Sequence, residues 1–131
     1  MDGWYLKECN MLTQKDYCDY DTCVALMELG FPRWFMPYGI LSEKYLLRLY
    51  DAQKWLREEK DIHVVPELGL IHRNKNGLIT HYYRVLVKNM NSGIIITLDN
   101  DRDDFESYEE ALLEGVRASI KILQDEQKEN N

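Results

Sequence analysis

The chain has 131 residues, 45% of them hydrophobic and 30% charged, with a formal net charge of −7 at pH 7, which is the composition of one globular domain with a sizeable core. The acidic balance argues against direct binding to a phosphate backbone, which draws on clustered Lys and Arg. No apolar run approaches the roughly 20 residues of a membrane-spanning helix, and Met1-Asp2-Gly3-Trp4 starts neither a basic n-region nor an apolar h-region, so a cytoplasmic location is expected.

Residues 1–20 read as irregular: they hold Trp4, Tyr5, Tyr17 and Tyr20 but no sustained period. Cys9, Cys18 and Cys23 are odd in number and follow no secretion signal, so reduced thiols packed as small apolar groups are expected rather than a disulfide framework. Asp19 or Asp21 caps a short helix through Cys23, Val24, Leu26 and Met27, with Gly30 as the residue after its end and Phe31-Pro32 closing it. The loop from Pro32 to Gly39 carries Trp34, Phe35, Met36 and Tyr38, a load suited to a partner surface or to capping the chain's own core. Ser42 is the expected cap of the next helix, which runs to about Glu59 with Leu41, Tyr45, Leu49, Ala52 and Leu56 as its stripe and Trp55 at the margin. Leu46, Leu47 and Tyr50 fall off that stripe. The first half of this helix is therefore expected to be covered on a second side, by the N-terminal segment or by another subunit.

Three strands follow. Ile62 to Val65 leads through a kink at Pro66 and Gly69 to Leu70-Ile71-His72. Asn76-Gly77 is a hairpin signal. The second strand is expected over Leu78 to Val87. Asn89 to Gly93 makes the next turn, and Ile94 to Leu98 the third strand. Ser107 and Glu110 match a capping box. Beyond it Tyr108, Ala111, Leu112, Gly115, Val116, Ser119, Ile120 and Leu123 form one apolar stripe, with Glu110, Glu114, Arg117 and Lys121 opposite. A glycine on that stripe costs helix stability by about 1 kcal/mol and points to a close approach of helix and sheet. Residues 124–131 read as a polar, frayed tail. The expected fold is α+β over 1–131, a three-stranded antiparallel meander with two long amphipathic helices on one face and a short N-terminal helix.

The segments Ala52-Gln53-Lys54-Trp55-Leu56-Arg57-Glu58, Ile62-His63-Val64 and Ser107-Tyr108-Glu109-Glu110-Ala111-Leu112, in that order, resemble small uncharacterised proteins of gut Bacteroidetes and of their phages or integrated elements. The resemblance covers about the last two thirds of the chain, and its motifs are structural: a tryptophan anchor, the start of a strand and a capping box. It implies an accessory protein of a bacterial or phage cytoplasm and carries over no catalytic residue.

Two constellations could hold a metal. Asp99, Asp101, Asp103 and Glu110 stand at positions 1, 3, 5 and 12 of a calcium-loop pattern, although Asp104 replaces the glycine that loop needs and a strand, not a helix, leads in. The competing reading is a solvated acidic loop that complements the dipole of the following helix. Separately, if Asn76-Gly77 is a two-residue turn, Lys75 pairs with Leu78 and His72 lies across from His81, with Cβ atoms about 5 Å apart. Asp99 and Asp101 would emerge at the same end of the sheet. Two imidazoles and a carboxylate with an open fourth position suit zinc and hydrolysis. The bland reading is two surface histidines near a turn, with His63 an ordinary strand residue.

The sequence holds no Gly-rich phosphate loop, no G-x-S-x-G and no H-E-x-x-H. The expected function is a small acidic accessory or interaction protein without catalysis of its own. Its partner is a protein or a second copy, bound through Trp34, Phe35, Met36, Tyr38, Leu47 and Tyr50. No cofactor, no nucleic acid and no membrane are expected. The alternatives are a divalent-metal enzyme using His72, His81, Asp99 and Asp101, and an acidic inhibitor of a nucleic-acid-binding enzyme, which would need carboxylates arrayed on one face.

Overall fold

The computed structural model describes residues 14–32, 46–73, 75–98 and 105–130. After a 3-10 turn at Gln14–Asp16 come helices α1 (Tyr20–Glu28) and α2 (Leu49–Lys60), strands β1 (Ile62–Arg73), β2 (Ile79–Asn89) and β3 (Ile94–Leu98), and helix α3 (Tyr108–Glu129). The sheet is antiparallel in the order β1-β2-β3, so the chain is α+β. Among the described residues no helix is long and apolar enough to cross a membrane.

Asp19 stands at the cap position before α1 with an extended backbone (φ −69°, ψ 163°), but its side chain makes no cap hydrogen bond, contrary to the expected capping role. The helix stops where Gly30 takes φ +106°. That turn lets Gly30 N–H reach Met27 O and Phe31 N–H reach Leu26 O, both at 3.0 Å, which satisfies two of the open carbonyls at the helix end. Leu26 and Phe31 are both buried in the core.

Helix α2 begins later than Ser42 suggested. Leu46 and Leu47 are not helical, and Arg48 is the residue before the first turn, with φ −74° and ψ 140°. The cause is a non-local pairing. Cys18 N–H donates to Leu47 O at 2.8 Å, and Tyr17 forms an antiparallel bridge with Arg48. The extended segment so fixed ends at the ion pair of Arg48 Nε with Asp51 Oδ2, 2.9 Å, in the first turn of α2. Ser42 itself lies outside the described residues. Leu47 is 3% exposed.

In the sheet, Ile62, Val64 and Pro66 of β1 stand opposite Asn89, Val87 and Val85 of β2, and all six are buried. Side chains alternate along a strand, so His63, Val65 and Glu67 lie on the other face, opposite Lys88, Leu86 and Arg84. Pro66 is tolerated because β1 is an outer strand. The expected kink near Gly69 is a β-bulge: the register shifts between Leu68 and Ile71.

Helix α3 covers the buried face. Ala111, Leu112, Gly115, Val116, Ser119, Ile120 and Leu123 are its buried residues, while Tyr108 is exposed. Of the expected capping box, Ser107 Oγ accepts from Glu110 N–H at 3.1 Å. Ser107→Ala should therefore destabilise the fold by about 1 kcal/mol; urea unfolding with unchanged midpoint and slope would show that Ser107 is not the cap. The helix does not fray after Leu123. It continues to Glu129, and Asn89 Nδ2 donates to Glu126 Oε1 at 3.2 Å, tying the polar tail to the end of β2.

Candidate functional site

The β1–β2 register decides the histidine pair. The ladder closes at Arg73 opposite Ile79, which leaves a five-residue connection, 74–78, in place of the two-residue turn. His72 consequently stands opposite Thr80, and His81 opposite Ile71. The two histidines are not cross-strand partners, which removes the pairing on which the zinc argument rested. Asp99, Asp101 and Asp103 lie outside the described residues, and Glu110 is exposed. Among the described residues no group of three or more His, Cys, Asp or Glu could hold a metal.

Of the expected partner surface, Trp34, Phe35, Met36 and Tyr38 lie outside the described residues. Leu47 is a core residue beside Cys23, whose Sγ accepts its amide at 3.4 Å. It is not available at the surface. Tyr50 is 64% exposed on α2.

Sequence reasoning missed a polar cluster at the start of α1. Asp19 Oδ1 accepts from Thr22 Oγ1 and from Arg117 Nη2, the latter at 3.0 Å, and Arg117 also pairs with Glu114. Beneath it Cys18 and Cys23 are fully buried free thiols, and Cys23 Sγ lies 3.7 Å from Cys18 O. The thiol-to-thiol hydrogen bond, then burial, push Cys18 up; the same bond and the Leu47 amide hold Cys23 below the usual thiol range against its own burial. Both thiols are buried in the hydrophobic core, where they pack as small apolar groups.

Partial burial disfavours ionised Asp19, but the hydrogen bonds from Thr22 and Arg117 outweigh it and hold the carboxyl below its ordinary value. A depressed folded-state value means stability that is present above the unfolded value, about 3.9, and lost as pH falls through the folded one. Asp19→Asn should therefore remove part of the acid-side loss of stability while leaving the shape of the curve above pH ~5 unchanged. An identical acid limb in the variant would show that the Asp19–Arg117 pair contributes nothing, a real outcome for exposed pairs.

A depression of about 330 Å³ lies between the ends of α2 and α3, lined by Lys60, Asp61, Asn91 and Glu126 among others. Two of its polar side chains are already bonded: Asn91 Nδ2 donates to Lys60 O at 3.2 Å, and Glu126 accepts from Asn89. Ligand pockets are mostly apolar with a few convergent polar groups, and this one is not of that kind.

The feature that stands out chemically is β3. Among the described residues it is an outer strand, of sequence Ile-Ile-Ile-Thr-Leu, without charge or proline, and Ile94 and Ile95 are 58% and 60% exposed. Tyr83 exchanges two backbone bonds with Phe105, so Tyr83, Val85 and Val87 bond toward the β3 side. Their partners Leu98 and Ile96 are then spent on β2, and alternation aims the N–H and C=O of Ile95 and Thr97 outward. Ile95 and Thr97 share with Val65 and Leu86 the face of the sheet opposite α3. Comparison with protein-family models, with curated proteins and with solved structures finds no match for this chain.

Proposed function

We propose that this chain is a small acidic accessory protein that acts by binding another protein and performs no catalysis of its own, in the bacterial or phage cytoplasm that the resemblance implies, without a cofactor. The observation that carries the reading is the β3 edge. Outer strands of natural proteins are protected by lysine, proline or bulges that discourage pairing. β3 has none of these, and it offers outward hydrogen-bonding groups flanked by exposed isoleucines. Such an edge is a template for an extended, uncharged segment: backbone bonds hold it, and alternate side chains select it. Burying the isoleucines adds about 25 cal/mol per Å² of apolar surface removed from water.

A photoreactive residue placed at Ile95, with a control at Glu58 on the exposed side of α2, tests this in the native cytoplasm. One adduct of defined mass from Ile95 and none from Glu58 is expected. Equal, diffuse labelling from both positions would contradict a specific edge. Metal analysis of protein purified without chelators is expected to find no stoichiometric divalent ion; one bound per chain would favour the metal-enzyme alternative.

A further inference from the structure

β2 outruns β3. On its outer side β2 pairs with β3 from Val85 to Asn89 and with Phe105 at Tyr83. Nearer the hairpin, at Ile79 and His81, no strand or bridge lies on that side among the described residues. Tyr83 bonds outward to Phe105, at 2.7 and 2.6 Å. Alternation then turns the N–H and C=O groups of His81 and Ile79 to the same open side. The distal parts of β1 and β2 thus form a two-stranded arm, and both Ile79 and His81 are exposed on it.

The arm also reverses the sign of the chain. From Leu68 to Tyr83 there is no carboxylate, and Arg73 and Lys75 are exposed at its end. The rest of the protein brings the total to −7. Where the chain leaves the Tyr83–Phe105 bridge, at the foot of the same open edge, it carries Glu106 and then Glu109.

We propose that the occupant of this edge is a second copy of the chain, paired antiparallel about a two-fold axis at Thr80, with Ile79 of each copy bonded to His81 of the other. Both residues of both copies are used, giving four backbone hydrogen bonds. The ladder stops there because Tyr83 is already bonded to Phe105. The basic end of each arm then abuts Phe105 and Glu106 of the other copy, so that Arg73 and Lys75 meet Glu106 and Glu109 at both ends of the contact. An isologous contact of this kind closes with two chains. Charge selects the occupant: two chains of net charge −7 repel except where the sign is reversed, and the arm is that place. Pairing also places a two-stranded arm, marginal by itself in water, inside a four-stranded sheet. The inference gives the interaction reading a named partner, but it uses β2 and not β3, so the two can fail separately.

Light scattering over a dilution series, at low and high salt, tests it on the full chain. A dimer that weakens with salt is expected. Arg73→Glu with Lys75→Glu, and separately Glu106→Lys with Glu109→Lys, should each weaken self-association at least about tenfold, and an equimolar mixture of the two variants should restore a dimer. His81→Pro removes an outward N–H without touching the β1 ladder and should also dissociate the dimer. Should that variant fail to fold, by circular dichroism, the charge-reversed pair decides alone. A wild-type chain that stays monomeric at every concentration overturns the proposal, and Ile95 adducts in that case would leave the β3 reading standing. A dimer indifferent to the charge reversals equally overturns it.

Discussion

Replacing Trp55 by alanine is expected to cost about 3–5 kcal/mol of stability, the largest effect of any single truncation considered for this chain. Trp55 is 6% exposed on α2. Its ring meets Phe31 edge to face, with centroids 5.3 Å apart, and Lys60 Nζ lies over the indole 5.4 Å from its centre. Phe31 is held there by the glycine turn that ends α1, so the indole joins α2 to the end of α1. Its loss removes apolar burial and leaves a cavity between α2 and the end of α1. Urea unfolding measures the cost. A loss under about 1 kcal/mol, or a Trp55 emission maximum typical of exposed indole with the other tryptophans replaced, would contradict the placement.

Gly115→Ala is expected to destabilise, against the intrinsic preference of helices. Alanine in a helix interior is favoured over glycine by about 1 kcal/mol. At Gly115, however, a Cβ would lie 2.7 Å from Val85 Cγ2 and would collide with Val64 Cγ1. Val64 and Val85 are themselves buried on neighbouring strands. Overpacking of this kind costs about 1–3 kcal/mol and exceeds the propensity gain. The cost of Gly115→Ala should be smaller in a Val64→Ala background than in the parent, because the two sites touch and couple. A Gly115→Ala variant more stable than its parent by the full propensity gain would mean that α3 does not approach the sheet at this point.

What was legible in the sequence was what is decided locally. The α3 stripe, its Ser107 cap and the close approach at Gly115 follow from residues within a few positions of one another. So does the end of α1 at Gly30. The start of α2 was not legible, because Leu46 to Arg48 is held extended by Tyr17 and Cys18, some 30 residues earlier in the chain. No hydrophobic period records such a pairing. The hairpin was placed correctly by Asn76-Gly77, but a connection longer than two residues moved the register next to it by one, which separated His72 from His81. In a strand a shift of one residue exchanges faces. The last turns of α3 read as a tail because their tie, Glu126 to Asn89, is again long-range. The candidate surface suffered from the same cause. Ile94 to Leu98 was recognisable as a strand, yet an apolar strand at the edge and one at the centre of a sheet look alike until the strand order is known. Likewise the open stretch of β2 is bounded by a long-range pairing, because Phe105 returns to Tyr83 and ends it there.

Amide hydrogen exchange along β3 of the purified protein tests most directly the claim that the chain carries an open strand edge. Ile96 and Leu98 stand opposite Val87 and Val85 and bond to β2, so their amides should be protected to the level of the folded core. The amides of Ile95 and Thr97 point away from β2 and should exchange rapidly. Alternating protection along the strand is the predicted result. Uniform protection from Ile95 to Leu98 would mean that the edge is already covered within the chain and would contradict the account.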